Sequence, residues 1–328
     1  MAVLEKRLEV IAIEPTDGVS LDGSELVTAL CRPEKVLPTR FLYDARGRGL
    51  YQRLITLPEY YMPRTAKAVL SRHVGNVPPI TGPVEIIELG ADDIATTRQL
   101  LDAYRKPGRA QHYVPVVTDR DWALGNGPLL LRQYPDLAIH GLSGDGGTAA
   151  GALPPRAADA RLVVCLDNAL GMLTVDACGA FLKGVRRTLQ PGDWFLVGVD
   201  LETEPEIIEA AYNDSEGLTA ELNLNALHHI NSHYGGQIDV GKFSHRAYYD
   251  ADNHQVEMSL RSEEWQIARI PGLGFEFEML ENSTIVTELS RKFTMSLIES
   301  DFTAAGFAYR SAWADVKELY ALFLFRAE

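Results

Sequence analysis

From residue 83 onward the chain alternates apolar runs of strand length with stretches of helical spacing, and this alternation constrains the fold more than any other feature. The runs are "VEIIEL", "HYVPVVT", "LAIHGL", "RLVVCL" and "WFLVGVDL". Between them the apolar spacing predicts helices near residues 95–105, 123–132 and 174–189. Strands that are β-branched and nearly continuously apolar suit a parallel sheet buried on both faces. Right-handed crossovers make such a sheet doubly wound. Near the end of the chain, "FAYRSAWAD" and "LYALFLFRA" are joined by a turn too short for a parallel crossover, so they must pair antiparallel. The fold class is α/β, a mainly parallel sheet closed by a terminal antiparallel hairpin.

The remainder reads differently. The first eighty residues show short helical stretches broken by Gly47, Gly49, Pro58 and Pro63 around aromatic loops. Residues 205–236 are helical in pattern, and "KFSHRAYYDADNHQVEMSLRS" is a hairpin turning at Asp250–Asn253. These stretches form a second, α+β part. The expected boundaries are 1–80 for its N-terminal segment, 81–202 for the sheet domain, 203–295 for the inserted remainder, and 296–328 for a helix and hairpin completing the sheet. The stretch "GGTAAGALPPRAADA" (146–160) reads as a loop over the carboxyl edge of the sheet.

Composition narrows the partners. A formal charge of −14 opposes the clustered Lys and Arg that nucleic-acid binding rests on. Cys31, Cys165 and Cys178 form no CxxC pair, no stretch approaches a membrane span, and "MAVLEKRLEVIAIEP" has no long apolar leader core. A cytoplasmic protein with small-molecule or protein partners is expected, with no nucleic acid and no membrane. His229 and His233 stand one helical turn apart without a third ligand at a diagnostic spacing, so no metal is expected.

Six ordered blocks carry a resemblance: "FLYD…LPEYYMPRTA", "IIELG…TTRQLLDA", "LQPGDWFLVGVDL", "AAYNDSEGLTAELNLNALHHIN", "FSHRAYYD…VEMSLRS" and "TELSRKF". Together they resemble the histidine Nα-methyltransferases of ergothioneine biosynthesis and their fungal relatives that methylate dimethylallyltryptophan. The resemblance implies a Rossmann-like class I methyltransferase domain that binds S-adenosylmethionine, plus a second domain holding the amino acid between the two. It also implies that Tyr43, Tyr60, Tyr212, Met258, Glu288 and Ser290 surround the substrate. Residue chemistry agrees: Glu288 can accept from an amine or ring N–H, Ser290 shares its strand face if the segment is extended, and tyrosines give apolar walls with polar tips.

The cofactor side departs from the family's pattern. Gly90 remains in the loop after the first strand and Asp145 matches the adenine-contacting acid. The next loop glycine is Asp92, the ribose acid is Val117, the lysine of "KTR" is Thr96, and the asparagine that fixes the substrate's amino and carboxylate groups is Met172. Asp167 and Asn168 are new polar groups beside the site, assigned here to substrate binding. These losses point to an enzyme without a cofactor that aligns an amine for nucleophilic substitution. An example is closure of an aziridine ring with loss of sulfate or phosphate, on a free or carrier-bound amino-acid-derived substrate. Glu288, Tyr43 and Ser290 are its expected catalytic groups. Two alternatives stand beside it: an S-adenosylmethionine-dependent amino-acid N-methyltransferase, and a non-catalytic methyltransferase-like subunit supporting a partner protein.

Overall fold

The computed structural model describes residues 7–13, 23–91, 93–106, 108–117, 120–144 and 153–328. Asp92, Asp145 and residues 146–152 of the Gly/Ala/Pro-rich stretch lie outside the described residues. Strands, numbered along the chain, are β1 (Leu8–Ala12), β2 (Lys35–Val36), β3 (Glu85–Leu89), β4 (Gln111–Val117), β5 (Leu137–Ser143), β6 (Arg161–Cys165) and β7 (Trp194–Asp200). There follow β8 (Phe243–Asp250), β9 (Gln255–Ser262), β10 (Gln266–Ile270), β11 (Phe275–Met279), β12 (Thr284–Arg291), β13 (Phe307–Ala314) and β14 (Tyr320–Ala327).

The chain forms two compact units. One comprises residues 1–18, 64–201 and 293–328. Its sheet has the order β1-β5-β4-β3-β6-β7-β14-β13, parallel from β1 through β7 and antiparallel at β14 and β13. The apolar runs become strands because both of their faces are covered: every residue of β3, β6 and β7 is buried. Helices Ile94–Tyr104, Arg120–Gln133 and Val175–Thr188 form where the spacing predicts them, two of them started by side-chain caps. Asp93 accepts from the Ala95 N–H at 2.9 Å and Thr174 from the Ala177 N–H at 3.3 Å. Phe195, Phe302, Phe323 and Phe325 anchor the core, with Phe302 and Phe325 stacked at 4.0 Å between centroids. Strand order reverses direction between β3 and β6, the place where open parallel sheets leave a crevice at their carboxyl ends.

The sequence groups the first eighty residues with the other unit, but β1 and residues 64–80 belong to the sheet unit. Strand β1 runs parallel to β5, with Leu8 opposite Ile139 and Ala12 opposite Ser143. Five half-exposed residues whose partner lies more than a hundred positions away leave no local signature of pairing.

The second unit comprises residues 19–63 and 202–292. Its four-stranded sheet has the order β2-β12-β9-β8, and β10 and β11 form a separate hairpin. Helix Leu218–Tyr234 packs Leu222, Leu227 and Ile230 into a core with Leu26, Phe41, Leu260 and Ile285. The β8–β9 hairpin turns where expected, and Asp250 accepts from the Asp252 and Asn253 N–H groups. Among the described residues no helix is long and apolar enough to cross a membrane.

Candidate active site

In the second unit the substrate-side residues converge. The β-branched run Thr284–Thr287 holds "TELSR" in β12, and a bulge breaks its pairing with β9: Val286 lies opposite Ser259 and Glu288 opposite Met258, leaving Thr287 extra. The Thr287 hydroxyl closes the bulge on the Met258 carbonyl at 3.0 Å. A bulge re-aims the side chains that follow it, here Glu288 and Ser290 on one face. The Met258 side chain is buried among Leu222, Leu260 and Ile285 in the core of the unit.

Four tyrosines make a ladder of edge-on rings. Tyr43 meets Tyr51 at 5.8 Å, Tyr51 meets Tyr60 at 6.2 Å, and Tyr60 meets Tyr212 at 6.4 Å. Tyr43 is set by Asp44, which caps helix Ala45–Leu54 through the Gly47 N–H and also accepts from Asn225. Tyr51, one turn from the end of that helix, links the expected tyrosines and had no sequence signal of its own. Burial, then the Glu288 charge, holds the Tyr43 phenol well above its ordinary range, so it stays a hydrogen-bond donor. Burial likewise pushes the Glu288 carboxyl up to about 7, with the charge of Lys292 acting against it. A carboxyl poised near neutrality among aromatic rings suits proton transfer.

Tyr212 donates to Ser290 Oγ at 2.8 Å, and the fully buried Lys292 donates to both hydroxyls at 3.0 Å. Behind them His245 fixes the Tyr212 backbone. Its Nε2–H donates to the Tyr212 carbonyl at 2.9 Å and its Nδ1 accepts from Asn223 at 2.9 Å, which sets the neutral tautomer. Lys292 and His245 both lie inside quoted blocks, yet nothing in their spacing marks them. His229 donates Nδ1–H to the Phe41 carbonyl. Among the described residues no His, Cys, Asp or Glu grouping could hold a metal.

In the sheet unit a small cleft opens at the carboxyl ends of the strands, lined by Lys67, Thr96, Leu166, Asp167, Tyr320 and Leu322 among others. Tyr320 accepts from the Asp167 N–H at 3.1 Å. Its hydroxyl fits only because residue 198 is glycine, where a Cβ would stand 1.9 Å from it. Asp167 is exposed in the left-handed region, φ 56°. Asn168, expected at the substrate, instead turns its amide oxygen onto the Asp200 N–H at 3.1 Å and is buried. Gly90 takes φ 73° with open space where a Cβ would project. Val117 is buried against Ala91 and Ala123, and its own side chain offers no acceptor; residues 118 and 119 lie outside the described residues. Asp93 caps its helix and pairs with Lys67 at 3.2 Å. Met172 is half exposed on the turn after β6. Beneath the loop, burial pushes Glu88 up to about 7 while Tyr113 at 2.5 Å and Thr97 at 2.8 Å donate to it.

A parallel sheet that reverses at β3 and β6 and closes with an antiparallel β14–β13 hairpin is the arrangement of a class I S-adenosylmethionine methyltransferase fold. The family model described as "Histidine-specific methyltransferase, SAM-dependent" matches residues 22–327, and the chain belongs to that family. It is 32% identical over 281 residues to the histidine N-alpha-methyltransferase of Mycolicibacterium smegmatis, covering 86% of this chain and 87% of that protein. The enzyme of the same name from Mycobacterium tuberculosis is 29% identical over 291 residues, 89% of this chain and 90% of that one. Ergothioneine biosynthesis protein 1 of Neurospora crassa is 31% identical over 224 residues, 66% of this chain and 26% of that one.

Membership corrects one expectation. The family is S-adenosylmethionine-dependent, so cofactor-free ring closure does not stand as the reading of this chain. Side-chain differences at Thr96 and Val117 leave the backbone turn at Gly90 in place, and backbone is what a ligand approaches in such a loop.

Proposed function

We propose that this chain is an S-adenosylmethionine-dependent N-methyltransferase acting on the amino group of an amino acid, with histidine the first candidate because its relatives carry that name. The observation that carries the reading is Glu288, a carboxyl raised to about 7 within a ladder of tyrosines. An amine attacks carbon only when neutral, and a carboxylate with that affinity can take its proton. Tyr43 and Tyr60 wall the substrate, and Ser290 with Tyr212 supplies hydroxyls to orient it. When bound, S-adenosylmethionine supplies an electrophilic methyl group.

The cleft in the sheet unit fits the amino-acid end of that donor. Lys67 offers a cation for its carboxylate, and Asp167 an anion for its ammonium group. Asp167 is thus reassigned from substrate to donor. Gly90 leaves room for close backbone approach. The ribose receives no partner from Val117, which predicts weaker donor binding than an acid at that position would give.

The test is incubation with S-adenosylmethionine and single amino acids, read by mass spectrometry. A product one methyl heavier and equimolar S-adenosylhomocysteine are expected; no product, together with no donor binding by calorimetry at millimolar concentration, would refute the proposal. A second prediction isolates the loop. Gly90→Ala places a methyl group in open space of the ligand-free protein at positive φ, costing about 1–2 kcal/mol of stability. Calorimetry is expected to show S-adenosylmethionine bound about tenfold more weakly or worse. Unchanged affinity would remove Gly90 from the cradle.

A further inference from the structure

The proton balance at Lys292 determines what the substrate pocket can recognise. Lys292 is 0% exposed and follows directly on β12, its own N–H held by the His254 carbonyl at 2.7 Å. Its Nζ lies 3.0 Å from both the Tyr212 and Ser290 hydroxyls and 4.9 Å from the Tyr212 ring centroid. An ammonium group can only donate, so both hydroxyl oxygens act as acceptors toward it. The Tyr212 proton goes to Ser290 Oγ. Ser290 Oγ then accepts twice, and its own proton is the one left to point elsewhere. A pair of hydroxyls that could otherwise donate or accept is fixed as a donor.

We propose that Lys292 is a positioning residue that fixes the polarity of the pocket: its hydrogen bonds make Ser290 a donor toward the substrate, and its charge, four residues beyond Glu288 and on the side of the strand that carries Ser290, favours the ionised form of that carboxyl. The substrate class that fits offers a lone pair to Ser290 and a hydrogen to Glu288. Groups facing Glu288 are Lys292 from the end of its own strand and the phenols of Tyr43 and Tyr60. Glu257 of β9 is paired opposite Leu289, on the other face. Among the described residues Lys292 is therefore the charge that acts on this carboxyl.

The proposal deepens the amine-methylating reading, yet its first test does not depend on it. Carbon-13 NMR of glutamate-labelled protein, with Glu288→Gln assigning the resonance, follows the Glu288 titration without substrate. The wild-type midpoint is expected near 7. In Lys292→Met it is expected to rise to about 8 or higher, the direction that loss of an opposite charge gives. Lys292→Gln, neutral but still polar, carries the same expectation should the methionine variant fold poorly. Lys292→Arg keeps the charge and is expected to stay near 7. Neutral variants that titrate with the wild type, or an arginine variant that shifts as far as they do, would overturn the proposal.

Kinetics supply a second readout. At pH well above the Glu288 midpoint of both proteins, Lys292→Met is expected to raise KM for the amino acid about tenfold, with a smaller change in kcat, since it removes orientation rather than the proton acceptor; at pH 7 its kcat is expected to fall as well, because Glu288 is then protonated. Ser290→Ala added to Lys292→Met should cost little more, because the two act as one unit; additive losses would count against it. Absence of turnover in the wild type would sink the methyltransferase reading and leave the Glu288 titration to judge Lys292.

Discussion

Glu288→Gln is expected to lower kcat/KM for N-methylation by about 100-fold or more, the loss that follows when a positioned proton acceptor is removed. The pH profile distinguishes this from a packing defect. Wild-type activity should rise with pH through an acid limb near 7, where Glu288 ionises, and the residual activity of the variant should lack that limb. Stability is expected to move the other way. The folded protein raises this carboxyl from 4.5 to about 7, so between those values it binds a proton that the unfolded chain releases. Stability contributed at Glu288 is present below pH 4.5 and lost as pH rises through 7. At pH 8 the loss approaches about 3 kcal/mol, which glutamine avoids. The variant should melt above the wild type at pH 8 and alongside it at pH 4. An inactive variant that also melts lower at pH 8 would mean that Glu288 is a structural anchor. The wild-type residue thus trades stability for a usable proton affinity.

Much of this was legible in the sequence for identifiable reasons. Strands such as "RLVVCL" are apolar at every position after Arg161 because both faces are covered, and that signature survives without any partner in view. The closing hairpin followed from the shortness of its turn. Where pairing is distant, the signal fails: β1 meets β5, and Gly198 makes room for Tyr320, across more than a hundred residues. The pocket shows the same division. Glu288 and Ser290 were visible through a motif and a period of two, whereas the bulge at Thr287 that aims them exists only against β9. Lys292 reads as an ordinary basic residue at a strand end; its meaning comes from Tyr212, eighty positions earlier. The donor side misled for a related reason. The departures read from the sequence, Asp92, Thr96, Val117 and Met172, are each single positions set against a local motif, while Lys67 and Asp167, which also line the cleft, come from a helix before β3 and a turn after β6 that no local motif groups.

Arg161→Met is expected to destabilise the sheet unit by about 3–5 kcal/mol, the range seen when one partner of a buried ion pair is removed. Arg161 Nε donates to Glu85 at 2.7 Å, with the two side chains 5% and 0% exposed, and the residues are register partners on the central strands β6 and β3. Asp193 locks the same end. It accepts from both terminal nitrogens of Arg156 at 2.8 and 2.7 Å, and from the Arg161 and Gln190 N–H groups at 2.8 Å. Loss of the guanidinium leaves the Glu85 carboxylate buried without its cation, and it is this stranded charge, more than the lost attraction, that costs stability. Urea unfolding separates the two contributions. If the stranded charge dominates, adding Glu85→Leu to Arg161→Met should recover most of the loss, since a packed apolar pair can match a buried ion pair. A double variant no more stable than the single one would show that the pair holds the strands by its own attraction. The pair sits at the amino ends of β3 and β6, while Gly90 and Asp167 follow their carboxyl ends. Donor affinity per folded molecule should therefore be unchanged in the double variant, because the ion pair secures the strands that carry the cleft without taking part in it.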